Sequence, residues 1–203
     1  MARRKDHTRE ELSELILTTA WNIIGKEGFE KLTARAIAKN IGYSPGTIYN
    51  TFDSMDDLYL KVNARVLDIL YETLNDPAHQ NPRRNAENNM ISMASAYMAF
   101  ARDYRPYWMM LFRLQLSDAR KIDPAYQEKV EQLFKPLERL LSPFFEAHEA
   151  RQLKMASHTL WASIHGLCFL QETGKIPLVD QNQKAAEKMA NFLIKTFVKG
   201  LGR

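Results

Sequence analysis

The chain has one cysteine, Cys168, in 203 residues. A lone thiol excludes an internal disulfide framework and fits a reducing compartment. Glycine and proline are sparse, eight of each, and no long polar low-complexity run interrupts the chain. No apolar leader follows Met1, and no stretch approaches the roughly 18 consecutive apolar residues of a membrane span. These absences predict a soluble, cytoplasmic protein with no membrane partner. No repeat of solenoid period is present. Enzyme signatures are missing as well. There is no Gly-rich phosphate loop after a strand, no nucleophile elbow and no Glu-x-x-His metal pair. Neither an enzyme nor a resident cofactor is expected. His165 and Cys168 lie one helical turn apart, a spacing at which two side chains can share a metal ion. His158 is about 10 Å from His165 along a helix, too far to join them. The expectation is a packed histidine, a buried cysteine and no metal site.

Apolar residues make up 45% of the chain, enough for one large or two small domains. Strand-like alternation is absent, and apolar residues recur at three- and four-residue spacings. The fold class is therefore all-α, with about nine helices. Thr8 can cap the first, with Glu11 completing a capping box. That helix is expected to bury Leu12, Leu15, Ile16, Thr19, Trp21 and Ile23. Gly28 supplies a left-handed stop and Phe29 packs back. Thr33 caps a short second helix carrying Ile37, Ala38 and Ile41.

The turn that follows is the strongest signal. Gly42 sits where the chain must reverse between two short helices, and glycine tolerates positive φ there. Ala38 lets two helices cross closely. Ser44 stands at an N-cap and Pro45 at the first helical position. Ile48 faces inward, leaving Gly46, Thr47, Tyr49, Asn50 and Thr51 mostly outside. Thr47 and Asn50 suit base edges or phosphates, Tyr49 suits phosphate, and Gly46 leaves room for a nucleic-acid backbone. Tyr49 could instead cover the small core, and Thr47 and Asn50 are expected to be the more exposed. Phe52 closes the core, and Ser54 caps a further helix with Asp56 and Asp57 at its N-terminal end.

Residues 1–61 carry nine Lys/Arg and nine Asp/Glu, so this head is neutral overall (9 − 9 = 0). Arg3, Arg4 and Lys5 form a basic arm. It reads either as a phosphate contact or as a solvated tail.

The run GFEKLTARAIAKNIGYSPGTIYNTFDSMDDLYLKV, within Glu11 to Val62, resembles the DNA-binding domain of the TetR family of bacterial regulators. Gly42-x-Ser44-x-Gly46-Thr47-Ile48-Tyr49-x-x-Phe52 is its most specific part. The resemblance implies that residues 45–51 are a recognition helix lying in the major groove of a double-stranded DNA operator. The candidate DNA-contacting set is Thr33, Arg35, Ser44, Pro45, Gly46, Thr47, Tyr49, Asn50 and Thr51. One departure matters. The family often has a lysine just after the residue matching Ser54, and here Met55 stands there, with Asp53 nearby.

NDPAHQNPRRN, residues 75–85, is a turn-rich break. The division read from the sequence is a helix-turn-helix domain at 1–55, a linking helix at 56–74 and a helical effector-binding and dimerisation domain at 76–203. In the body, helices are expected at Ala86–Asp103, from Pro106, from Pro124 with a kink at Pro136, at Glu149–Thr173, and from about Asp180 to Lys199, ended by Gly200. The last two carry apolar residues over more than one core face, which suits a homodimer formed through them. A two-fold dimer would set two recognition helices one DNA turn apart on a near-palindrome. Leu160-Trp161-x-x-x-His165-Gly166-Leu167 is similar to a TetR subgroup named for its Trp-His-Gly motif, which implies a ligand-responsive body. Met90, Met93, Tyr97, Trp108, Met109, Phe112, Trp161, His165 and Phe169 are the candidate lining of a pocket for a small, mainly apolar effector. Any one of them reads more readily as ordinary helical core, and the set as a whole more readily as the wall of a cavity. The function implied is a repressor released by its effector. A constitutive DNA-organising protein, or a helical ligand-binding protein with a non-functional head, would share most of these features.

Overall fold

A computed structural model of the chain describes residues 7–113 and 122–202. The basic arm Arg3, Arg4 and Lys5 lies outside the described residues. Ten α-helical segments, joined by short 3-10 turns, make up the described chain: α1 Arg9–Glu27, α2 Ala34–Ile41, α3 Pro45–Thr51, α4 Met55–Leu74, α5 Ala86–Asp103, α6 Arg105–Arg113, α7 Pro124–Gln132, α8 Lys135–Leu141, α9 Ala150–Glu172 and α10 Ala185–Leu201. No strand occurs among the described residues. Counted as one interrupted helix, α7 and α8 bring the number to the nine expected.

The chain forms two compact units, Met1–Val66 with Pro106–Tyr126, and Leu67–Arg105 with Gln127–Arg203. The division falls inside α4. The segment from Pro106, which the sequence pattern assigns to the body, belongs to the first unit.

In the first unit, Thr8 Oγ1 accepts from Glu11 N at 3.2 Å while Thr8 N donates to Glu11 Oε2 at 2.7 Å, completing the capping box. The core joins Ile16, Ala20 and Ile24 of α1 to Ile37 and Ala38 of α2, Ile48 of α3, Phe52, and Leu58 and Val62 of α4. Leu12 and Trp21 only flank it, whereas Leu17 and Ala20, not expected inside, are buried. Gly28 has φ 89° and ψ 159°. Its φ is positive but its ψ is not that of a left-handed helix, so the chain enters a 3-10 turn at Phe29–Lys31. Met110 of α6 completes this core. Tyr107 stacks on Trp21 with ring centroids 4.0 Å apart and donates its hydroxyl to the Trp21 carbonyl at 3.0 Å.

In the second unit, α5 and α9 run parallel. Tyr97 bonds His165, and Arg105 bonds the Glu172 carbonyl, at sequence separations of 68 and 67. Arg105 opens α6 directly after α5, so the two contacts follow in the same order along both segments, and α5 and α9 point the same way. Helix α10 packs against both. Two boundaries differ from expectation. Pro136 does not kink a continuous helix but starts a new one, because the Leu133 and Phe134 amides have already turned back to the Val130 and Glu131 carbonyls. The last helix begins at Ala185 and runs through Gly200 to Leu201. Asp180 and Asn182 carboxyl and amide oxygens take the amides of Asn182 and Lys184, holding that stretch in turns.

Candidate DNA-binding face and ligand cavity

Each boundary of the helix-turn-helix is fixed by a local bond. Thr33 Oγ1 accepts from Ala36 N at 3.1 Å and starts α2. Gly42 ends it at φ 74°, ψ 27°, and the Tyr43 amide bonds back to the Ala38 carbonyl at 3.0 Å, the six-to-one bond of a Schellman stop. Pro45 occupies the first turn of α3. Ser44 stands at the N-cap position, but its hydroxyl pairs with Thr47 Oγ1 at 3.2 Å instead of a backbone amide. Ser54 Oγ accepts from Asp57 N at 3.1 Å and starts α4.

These bonds decide what α3 presents. Ile48 points into the core. Tyr49 is 55% exposed, so it does not cover the core. Asn50, Pro45 and Gly46 are exposed, as are Ser44, Arg35 and Thr33 on the flanks. Thr47 is half-buried, contrary to the order of exposure expected from the sequence, because its hydroxyl turns toward Ser44. Thr51 is half-buried and its hydroxyl donates to the Thr47 carbonyl at 2.9 Å. Of the nine candidate residues, Arg35, Tyr49 and Asn50 are the exposed ones with long polar side chains. His7 shares a hydrogen bond with Tyr43 at 2.8 Å, tying the start of the described chain to the α2–α3 turn. The sequence pattern did not single out either residue. Tyr59 donates to the Leu32 carbonyl at 2.9 Å, clamping α4 to the approach to α2. Burial, with Asp56 and Tyr49 adding, holds its phenol above the ordinary range.

The second unit holds a cavity of about 50 Å³ lined by Leu74, Met90, Met93, Ala94, Tyr97, Leu133, Phe134, Leu137, Leu160, Trp161, Ile164 and Ile194. Four of the nine expected residues are there: Met90, Met93, Tyr97 and Trp161. His165 stands beside it. It bonds Tyr97 Oη through Nδ1 at 2.9 Å and stacks on Trp161 with centroids 5.3 Å apart. Burial pushes the His165 imidazole below its ordinary value. Phe169 is exposed and does not line the cavity. Trp108, Met109 and Phe112 belong to the first unit, with Trp108 and Met109 buried and Phe112 exposed. Leu133, Phe134 and Leu160 carried the right helical spacing in the sequence, but spacing alone does not tell a cavity wall from a filled core.

Cys168 is buried. Burial, helped by the nearby Glu172 carboxylate, pushes its thiol up to about 12. A thiol so hard to ionise is a poor metal ligand and a poor nucleophile. Glu172 is itself raised by burial and partly relieved by Arg105, whose Nε lies 3.2 Å from Oε2.

A helix-turn-helix with an exposed second helix, at the head of an otherwise helical chain, defines a DNA-binding transcriptional regulator. Residues 16–62 match the family described as bacterial regulatory proteins, tetR family, and residues 90–193 match the tetracyclin repressor-like C-terminal domain. The chain belongs to the TetR family of bacterial transcriptional regulators, which are not enzymes. It is 28% identical over 167 residues to the uncharacterized HTH-type transcriptional regulator Rv0681 of Mycobacterium tuberculosis, covering 82% of this chain and 73% of that one. Among solved structures, a protein of unknown function from Rhodococcus sp. RHA1 aligns with TM-score 0.73 and 18% identity over the whole of both chains. Thermus thermophilus FadR, a TetR-family repressor in complex with lauroyl-CoA, aligns with TM-score 0.60 and 19% identity over 93% of this chain and 92% of that one. At such identities these structures share the fold.

Proposed function

We propose that this protein is a cytoplasmic, homodimeric repressor that reads a near-palindromic operator through α3 and leaves it when a small, mainly apolar effector enters the second unit. The observation that carries the reading is the cavity. Every lining residue but Tyr97 and Trp161 is wholly apolar, and no charged residue lines it. A neutral apolar molecule, or the apolar part of a larger one, suits such walls. The lauroyl-CoA bound by FadR supports this class of ligand. At about 50 Å³ the cavity is well short of the roughly 300–1,000 Å³ of sites that hold drug-sized molecules. An effector therefore enters by moving side chains, and Met90 and Met93 are adaptable ones. Leu74, the last residue of α4, lines the cavity, while Ser54 caps the other end of the same helix. Helix α4 is thus the covalent route by which cavity filling reaches α3. Filling would shift the population toward a dimer whose recognition helices are wrongly spaced.

The dimer reading rests on apolar side chains that a core does not need. Met155, Phe169 and Leu170 on α9 and Phe192 on α10 are all exposed, Phe192 at 73%. Phe192→Glu tests this directly. The variant should stay folded, sediment as a monomer and lose operator affinity by at least about tenfold. A variant that matches the wild type in mass and in DNA binding refutes dimerisation through the last two helices.

A further inference from the structure

Two buried polar atoms stand on α5 and α9 one helical turn before residues that line the cavity, and neither residue lines it. Ser157 is fully buried and Asn89 is 5% exposed. Among the described residues, neither Ser157 Oγ nor Asn89 Oδ1 has a hydrogen-bond partner. Asn89 Nδ2 donates to the Asn81 carbonyl at 3.0 Å, which fixes the amide orientation and leaves Oδ1 as a pure acceptor. A buried polar atom left unpaired costs free energy that a bonded one does not.

The register set by Tyr97 and His165 gives the two residues matching positions on α5 and α9. Tyr97 meets His165 and Arg105 meets Glu172 at separations of 68 and 67, and Ser157 follows Asn89 by 68 (157 − 89). Along α9, Ser157 precedes Leu160, Trp161 and Ile164 by three, four and seven residues, the spacing of a single helix face. All three line the cavity. On α5, Asn89 precedes Met93 by four. The level of Asn89 and Ser157 lies eight residues before that of Tyr97 and His165 on both helices, about 12 Å at the rise of an α-helix. The cavity wall between these levels is methionine, alanine, leucine, isoleucine and aromatic carbon.

We infer that Ser157 Oγ and Asn89 Oδ1 become the polar end of the cavity once an effector has opened it by a further helical turn, and there receive the O–H or N–H of an uncharged, otherwise apolar, elongated ligand. The inference rests on the cavity being the effector site. Asn89 Oδ1 can only accept, so the ligand must donate, as an alcohol or an amide does. A carboxylate would set acceptor against acceptor, and no cation among the lining residues would balance its charge. The ligand's donor relieves the unpaired acceptor, so binding recovers what the empty cavity loses.

The test compares octan-1-ol, n-octane and octanoate as probes of the full-length protein. Binding is followed by NMR of the methionine methyls, which reports Met90 and Met93, and the ligand-free Tm is measured alongside. Octan-1-ol should bind the wild type about fivefold or more tighter than either other probe. Ser157→Ala should keep part of the octan-1-ol preference through Asn89 Oδ1 and, having lost an unpaired hydroxyl, should melt higher than the wild type without ligand. Adding Asn89→Leu to Ser157→Ala removes both atoms and should bring the three probes within about twofold of one another. Equal binding of the three probes by the wild type overturns the polar end and leaves the apolar cavity standing. So does a double variant that keeps the full preference, or a Ser157→Ala protein that melts lower. No response of Met90 or Met93 to any probe overturns the effector cavity and the polar end together.

Discussion

Two glycines four residues apart in the helix-turn-helix should respond to the same substitution in opposite ways. Gly42 has φ 74°, and nothing lies within 4 Å of the place a Cβ would take. Alanine there meets no clash, so the cost of Gly42→Ala is purely that of the left-handed backbone, about 1–2 kcal/mol. Gly46 lies within α3, and a Cβ on it would meet only Ser44 Oγ, at an ordinary 3.7 Å. Gly46→Ala should therefore leave the fold as stable or raise it by about 0.5 kcal/mol, since alanine is the better helix former. Gly46 is also exposed on the proposed DNA-facing side. There the added methyl should hold the DNA backbone away and weaken operator binding about tenfold or more. Urea denaturation gives the stabilities and fluorescence anisotropy with an operator duplex gives the affinities. Stability lost at Gly42 with stability kept and binding lost at Gly46 is the expected pattern. A Gly46→Ala protein that binds DNA like the wild type would refute close approach at this point of α3.

Gly25→Ala should destabilise the first unit even though it improves a helix, because its Cβ would sit 2.5 Å from Tyr107 Oη. In a Tyr107→Phe background that atom is gone and the penalty should fall, which denaturation of the double variant will show. Cys168 should resist thiol reagents in the native state at pH 8. Its folded value of about 12 stands above the ordinary 9.0, so its contribution to stability is complete below pH 9 and is lost as pH rises toward 12; Cys168→Ala should flatten the alkaline limb of Tm against pH. His165 shifts the other way, its folded value lying below 6.5. The unfolded chain then binds the proton first, so stability should decline as pH falls through 6.5, and His165→Gln should reduce that slope.

The head was more legible in the sequence than the body, for a physical reason. Thr8 with Glu11, Thr33, Gly42 and Ser54 act through bonds within a few residues, and Pro45 through its own ring at the first helical turn, so their meaning survives in the linear chain. Gly28, the exposure order of Thr47 and Tyr49, and Gly25 against Tyr107 depend on neighbours that spacing does not reveal. In the body, helix α5 was readable to the residue because Asn85 caps it and the apolar spacing is unbroken. The start of α10 was not, because two Asx turns compete with the helix for the same amides. Trp108, Met109 and Phe112 have the composition of a pocket wall. Their place in the first unit is set by Tyr107 on Trp21 and by Met110 in the core, contacts between segments far apart in the chain.

The central claim is that α3 reads DNA sequence. Selection from a random duplex pool, with Asn50→Ala and Tyr49→Ala run beside the wild type, tests it most directly. Enrichment of a near-palindrome, weakened by both substitutions and by rising salt, is the predicted result. Absence of any enriched sequence at low salt, or enrichment that neither substitution changes, would contradict it.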